Sequence, residues 1–484
     1  MGIDLARKHA DYTATEAERV KGINLYDGER AVHAKGSAYL HQGENESTGD
    51  FNNRLARAVL DPYVKKIVTA RQAVLFGKSP TRELTGVLKD FELDIDRKGT
   101  DAATFFVEAA RRAQVAGIHW VAADMPAEPE GGFKSKAEEQ AANHRVFMEH
   151  VEGAAVIDWE VGDDLALNWA VVHQTHTELR ETAGVEPKSK NQWKVWYRDH
   201  WVLWEARTNQ ADKSKVPDPY VVVGEGPNPC NAVPLVPFLG VRHTDFSGWP
   251  VAMDVFGHVL AIYNKQSDRD WFERLSAHPI PYFITPKKPV KMDTGKGVWI
   301  ETAPGVSCDL GYMEPTGSAF ASANETIEAY QAKIYRIALA QAQKETAQVQ
   351  SGDSQREDRK QFTTSLTADS ERYEANEHHC WDLAKAWSGD KTSKATAEYN
   401  RDFDDAMIDA ALISALSSLV DLEILTRKTV AKAVAESGLV DIEDIDKELA
   451  DAKEQAAERN QANTVAALDR IRNGSADEGP SDED

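Results

Sequence analysis

VFGHVLAIYNKQSDRDWFERLSA, residues 255–277, is the stretch on which the rest of the chain is hung. Apolar residues recur at Val255, Val259, Ile262 and Tyr263, then at Trp271, Phe272 and Leu275, which is helical spacing rather than alternation. The spacing predicts a helix from Val251 to Ala277. His278-Pro279-Ile280-Pro281 stops it, because proline lacks the amide a helix needs and disfavours the α conformation before it. A second helix carries Ile327, Tyr330, Ile334 and Ile337, an apolar stripe down one face. A third, from about Gln355 to Trp387, spreads Phe362, Leu366, Tyr373, Trp381 and Trp387 thinly among charges. At 1.5 Å per residue it spans roughly 50 Å, more than one small core covers, so partners in other subunits are expected.

The segments between these helices differ in kind. Residues 279–315 are dense in Pro and Gly, with β-prone pieces at Tyr282–Thr285, Gly297–Glu301 and Val306–Leu310, and read as a small β insertion. Residues 341–355, QAQKETAQVQSGDSQ, have no apolar face beyond Val349 and read as a mobile loop. After Gly389 comes a helical module: Met407–Leu425 is strongly apolar, Thr426 can cap the helix RKTVAKAVAES, and Gly438 can end it. Residues 441–472 read as a charged helix and 473–484 as an acidic, disordered tail.

Upstream, residues 1–50 are polar and broken by glycines, with Asp11-Tyr12 and Tyr39-Leu40 as anchors. Residues 51–76 form a helix whose buried side is marked by Leu55, Val59, Tyr63, Ile67 and Val74, with Pro62 a kink or a break. Asp101 to Gln114 is another helix, ended by Gly117 before a strand, IHWVAADM. Residues 127–150 read as a surface loop running into a polar helix. Strands follow in LALNWAVVHQTH (Leu165–His176), in QWKVWYRDHWVLWEA (Gln192–Ala206), and in two apolar runs within Asp218–Arg242. The fold class is therefore α+β, with a mixed α/β body preceding a helical region.

Composition narrows the function. A chain of 484 residues with a formal charge of −23 is poorly suited to gripping DNA, whose affinity for proteins comes mainly from phosphate neutralisation. It does not exclude a protein that lets DNA pass without gripping it. Three scattered cysteines, Cys230, Cys308 and Cys380, argue against a disulfide framework and for a reducing compartment. No apolar run approaches the roughly 20 residues of a membrane span, and MGIDLARKHA lacks a signal core, so a soluble protein of intracellular origin is expected.

Catalytic motifs are tested and set aside. Gly77-Lys78-Ser79 ends like a Walker A loop, but Gln72 stands where its first glycine belongs. Gly224-Glu225-Gly226 begins like a dinucleotide fingerprint, but Pro227-Asn228-Pro229 forbids the helix, so a hairpin turn is expected. His173 and His176 point to opposite faces of a strand, and His378-His379-Cys380 diverge around a helix. Trp193, Trp196, Trp201 and Trp204 admit a stacking platform, but sheet packing is the preferred reading. No catalytic residue, metal site or cofactor is expected. A catalytic carboxylate pair among the 79 acidic residues stays open from sequence alone.

The layout resembles the portal proteins of tailed double-stranded DNA bacteriophages, in the uncharacterised-domain (DUF4055-like) branch. The resemblance rests on FNNRLARAVLDPYVKKIVTARQAVLFGKSP, AVPLVPFLGVR, AIYNKQSDRDWFERLSA with its Tyr263-Asn264 and Ser267-Asp268 pairs, and LTRKTVAKAVAESGLV. It covers about residues 30 to 465. It implies a ring-forming portal fold: an α/β wing body over 1–247, stem helices over 248–277 and 318–340, and a β clip over 278–317. A tunnel loop over 341–355, a long wing helix over 356–399, a helical crown over 400–472 and a disordered acidic tail over 473–484 complete it.

The resemblance implies a homo-oligomeric ring, usually of twelve subunits, at one vertex of the capsid in the virion, assembled in the host cytoplasm. Double-stranded DNA would pass non-specifically through it during genome packaging and ejection. The terminase large subunit, a tail adaptor, and capsid and scaffold proteins would be the partners, with no membrane. Tunnel-loop residues Gln343, Lys344, Gln348, Gln350 and Ser351 would meet DNA; Lys287, Lys288, Lys291 and Trp299 in the clip would meet partners. The alternatives are a metal-dependent nucleic-acid-processing or hydrolytic enzyme with an acidic site, and a connector or capsid scaffold outside this family.

Overall fold

The computed structural model describes residues 3–126, 129, 131–177, 186–187, 189–206, 220–276, 280–286, 298–303, 305, 309–313, 318–339, 352–401, 403 and 447. They form an α+β chain. Two compact units divide between Arg401 and Asp402.

The first unit opens with two helices, α1 (Ala10–Asp27) and α2 (Glu29–Lys35), turned at Gly28. The sequence reading found no helix there. The buried side of α1 is Tyr12, Thr15, Arg19, Gly22, Asn24 and Leu25, too polar to show an apolar period. Arg19 is buried because its guanidinium lies 4.3 Å from the Tyr12 ring centre and donates to the Gly153 carbonyl. The expected helix of residues 51–76 is broken at Pro62 into α3 (Thr48–Leu55) and α4 (Tyr63–Leu75). Val59, expected on the buried side, falls in the break and is 55% exposed.

Strand β1 (Thr81–Leu84) leads to α5 (Ala102–Ala116), whose first turn is capped by Asp101 accepting from the Thr104 amide at 2.8 Å. Gly117 ends α5 at φ +87° and releases the buried strand β2 (Ile118–Asp124). The short helix α6 (Lys136–Ala141) follows, then β3 (Phe147–Glu152). The loop-to-polar-helix reading of 127–150 missed β3, because Glu149 and His150 interrupt its apolar alternation. Next come β4 (Val156–Val161), β5 (Leu167–Thr177), β6 (Ser189–Tyr197), β7 (His200–Ala206), β8 (Tyr220–Pro227), β9 (Leu235–Leu239), β10 (Val241–Thr244) and β11 (Ser247–Trp249). The remaining elements are α7 (Phe256–Ser276), β12 (Ile280–Thr285), β13 (Val298–Glu301), β14 (Asp309–Met313), α8 (Ser318–Ile334), α9 (Gly352–Ser388) and β15 (Ala395–Glu398).

β4 to β8 form an antiparallel meander in sequence order, while β3, β2 and β9 form a separate antiparallel sheet. Their apolar faces share one core containing Trp120, Trp159, Trp193 and Trp196, with Trp201, Trp204 and Trp387 packed against it. The tryptophans are packing residues. The expected hairpin turn at Gly224-Glu225-Gly226 is instead part of β8, paired with β7. Glycine is needed there because a Cβ on Gly226 would come 2.9 Å from the Trp201 indole. The turn lies beyond it, and the second apolar run crosses to the other sheet as β9.

A second core joins Leu25, Val32, Tyr63, Val64 and Ile67 to Val255, Val259, Ile262 and Tyr263 of the α7 region and to Ile327 and Ile334 of α8. The C-terminal half of the long helix α9 finds much of its packing within this chain. Tyr373, Cys380, Trp381, Leu383 and Ala384 on its C-terminal half are buried within this chain.

Between β2 and β3, His119 is fully buried, and its Nε2 lies 2.9 Å from His150 Nδ1. Burial first, then Arg112, lowers His150 to about 4; burial and its neighbour hold His119 well below the ordinary value. The folded state therefore keeps both rings neutral, while an unfolded chain protonates them below pH 6.5. Stability is fully present above that pH and is lost as pH falls towards 4. From His150 alone the expected loss at pH 5 is about 2 kcal/mol. Urea unfolding at pH 7 and pH 5 checks it. The pH 5 deficit should shrink by about that amount in His150→Gln, and an unchanged deficit would refute the assignment.

Candidate functional site: the helix–sheet–helix segment

α7 begins against the second core and ends exposed: Phe272, expected on the apolar side, is 59% exposed. Of its Tyr263-Asn264 and Ser267-Asp268 pairs, Tyr263 packs into the core, while Asn264, Ser267 and Asp268 fasten the chain between residues 39 and 54 onto the helix. Asn264 Oδ1 accepts from the His41 amide at 2.7 Å, and its Nδ2 donates to the Tyr39 carbonyl at 2.8 Å. Arg54, 6% exposed, donates to Asp268 at 3.0 Å, to both oxygens of Glu46 at 2.8 Å, and to the His41 carbonyl. That guanidinium holds the Glu46 carboxyl below the usual range. The sequence reading marked the α7 residues but not Arg54, whose partner lies 214 positions away and leaves no local signature.

α8 runs antiparallel to α7. The rings of His258 and Tyr330 meet edge-on at 5.8 Å, and Arg269 donates to Asn324 Oδ1 at 3.1 Å. Of the expected stripe, Ile327 and Ile334 are buried and Tyr330 is half-buried, but Ile337 is 46% exposed. Residues Tyr335–Leu339 form a π turn, whose wider winding rotates Ile337 off the α-helical stripe. Much of the rest of α8, including Glu325, Glu328 and Ala332, is exposed.

Between the two helices lies a three-stranded sheet with β12 at its centre, parallel to β13 and antiparallel to β14. The third strand, expected over Val306–Leu310, is Asp309–Met313. One register row is Phe283, Trp299 and Leu310; the next is Ile284, Ile300 and Asp309. Because successive rows face opposite sides, apolar residues occupy both. Leu310 is 74% and Ile300 50% exposed.

Of the residues singled out from sequence, Trp299 stands on β13 opposite Phe283. Lys287, Lys288, Lys291, Gln343, Lys344, Gln348, Gln350 and Ser351 lie outside the described residues, as do nearly all of the expected crown and the tail. Among the described residues no three or more His, Cys, Asp or Glu side chains are grouped to hold a metal ion. His173 tilts against Trp193 at 5.1 Å, and His378 Nε2 lies 3.1 Å from the Ala397 carbonyl oxygen, both packing roles. No helix among the described residues is long and apolar enough to cross a membrane.

Residues 258–388 match a family model described as a domain of unknown function (DUF4055). That span takes in α7, the three-stranded sheet, α8 and α9. No curated protein matches the chain. Among solved structures, the chain is similar to one in "Virion of native gene transfer agent (GTA) particle", at 12% identity and a TM-score of 0.36, covering 85% of this chain and 99% of that one. It is also similar to a chain in "Neck of empty GTA particle computed with C6 symmetry", at 11% identity and a TM-score of 0.37, covering 78% and 90%. A third, in "Neck of native GTA particle computed with C12 symmetry", gives 14% identity and a TM-score of 0.33, covering 84% and 98%.

Proposed function

We propose that the chain is a portal subunit, copies of which form a ring at one vertex of a phage-type capsid and let double-stranded DNA pass during packaging and ejection. The observation that carries this reading is the segment of residues 256–388. A helix, a small sheet with apolar residues on both faces, an antiparallel helix and a 37-residue helix follow in order, and the matched family model spans residues 258–388 of this segment. An α8 with much of its circumference in solvent, and a sheet with exposed Ile300 and Leu310, are what a subunit shows when its neighbours are removed.

In this reading 1–247 is the wing body, 248–277 and 318–340 the stem, 278–317 the clip and 341–355 the tunnel loop. Residues 356–399 are the long wing helix and 400–472 the crown. The charge of −23 suits a conduit that must not hold DNA. Terminase and tail adaptors would dock on the clip, capsid proteins around the body. The chain itself performs no covalent chemistry.

Deleting Thr346–Gln350 tests the tunnel-loop assignment. Rings of unchanged mass should form while capsids fail to package or retain DNA. Loss of ring assembly, or normal packaging by the deleted form, would overturn it.

A further inference from the structure

Strand β4 is an edge of the five-stranded sheet: among the described residues it pairs with β5 alone. Its outer side is nonetheless covered, and the cover is a run of this same chain, residues 3–9, just before α1. The His9 amide donates to the Ile157 carbonyl at 2.8 Å, and the His9 ring stacks on Trp159 at 4.2 Å. Two residues earlier, Arg7 comes within 3.7 Å of Asp158. Two before that, Leu5 is 8% exposed and joins the core that holds Trp120, Trp159 and Trp196. An edge strand left bare invites another strand, and covering it is one of the ways proteins prevent this.

Asp158 gives this edge its chemistry. Its side chain is 9% exposed, and one of its oxygens accepts from the Trp159 amide at 3.1 Å. Burial pushes its carboxyl above the usual range, while Arg7 and His9 pull it down. A buried carboxylate needs a cation, and Arg7 brings one from the cover while its own side chain stays 74% exposed.

The cover is held more lightly than the helix behind it. Helix α1 is seated by Tyr12 donating to the Ala154 carbonyl at 3.2 Å, Arg19 to the Gly153 carbonyl, and Thr244 to Asp11 at 3.0 Å. Ile3, Asp4, Ala6, Arg7 and Lys8 are exposed. Lys8 binds Glu16 of α1 at 2.7 and 2.9 Å rather than the sheet. His9, whose Nδ1 accepts from the Asp11 amide at 3.1 Å, is tied to α1 and marks the hinge. Few buried contacts and an exposed backbone characterise a segment that opens by itself.

We infer that the outer edge of β4 is a docking site for a Leu-x-Arg segment, filled by residues 3–8 as a strap that lifts while the sheet stays folded. Leu5 is the plug and Arg7 the counter-charge to Asp158. The site is complete in one chain and does not depend on a ring. The same segment of a second copy fits it, and such an exchange joins chains without any new surface. A chain's own strap is tethered and wins unless copies are held close together.

Leu5→Cys in the full-length chain reads the lifting. Without denaturant its thiol should react about a hundred-fold faster than Cys380, which is 1% exposed, because local opening is easier than global unfolding. Equal rates would mean that the strap leaves only on unfolding and would overturn the proposal. Leu5→Asp with Arg7→Glu keeps the chain whole and frees the site. A peptide of residues 3–10, IDLARKHA, should bind this double variant once per chain and change its tryptophan fluorescence. Wild type should bind the peptide about ten-fold more weakly, because its own strap occupies the site most of the time. No binding by a double variant that still melts cooperatively, or equal binding by wild type, would refute the site. Should the double variant fail to fold, the Leu5→Cys rates decide.

Discussion

Glu377→Ala lowers the stability of the body by about 3–5 kcal/mol, the cost of breaking a buried ion pair by removing one partner. Glu377 is wholly buried on α9 and accepts from Arg82 at 2.7 and 2.8 Å, from the Tyr399 hydroxyl at 2.7 Å and from the Trp381 indole at 3.1 Å. These bonds tie α9 to β1 and to the chain just beyond β15. Burial and the carboxylate push the Tyr399 phenol well above its ordinary value, so it remains a donor. Without Glu377 the Arg82 charge stays buried with its partner gone. Arg82→Met with Glu377→Leu removes both charges, and most of the lost stability should return because apolar replacement of a whole buried pair is often neutral. Urea midpoints of the single and double variants decide it. A double variant no more stable than Glu377→Ala would contradict the ion-pair account.

Gly117→Ala should cost about 3 kcal/mol, from a strained backbone and a steric clash together. Gly117 sits at φ +87° where α5 gives way to β2, and its carbonyl accepts from the Gly240 amide at 2.8 Å. A Cβ there would strike the Gly248 carbonyl oxygen and come 2.9 Å from the Pro250 nitrogen. Gly240 and Gly248 are crowded in the same way: their Cβ atoms would lie 2.6 Å from the Trp249 oxygen and 2.5 Å from the Gly117 oxygen. Three backbones meet at a spacing that only glycine permits. Gly28→Ala is the control, with φ +93° and nothing within 4 Å of its Cβ. It should lose less, about 1–3 kcal/mol, from backbone strain alone, because φ +93° with ψ −158° is a region that glycine ordinarily occupies. Equal losses at the two sites would mean that the clash relaxes.

The same contrasts show what the sequence made legible. α7, α8 and the end of α9 were readable because their apolar residues recur at helical spacing and bury that face, as Val259, Ile262 and Tyr263 do. Helix α1 was hidden because Thr15, Arg19 and Gly22 fill its buried side, each suited to a particular neighbour rather than to water exclusion in general. Gly224 and Gly226 were misread as a turn because the reason for them, the Trp201 indole, is on another strand. The candidate site follows this division. Asn264 and Asp268 stood out within the helix, but their partners His41 and Arg54 are more than two hundred residues away. Arg82 and Glu377, 295 positions apart, carry no signal at either end.

Native mass of the full-length protein, with images of the same sample, tests the central claim most directly. The expected result is a ring with a central hole, near twelve copies of the 53.6 kDa chain, about 640 kDa. A protein that stays at the mass of one or two chains, both alone and when released from assembled capsids, would contradict it.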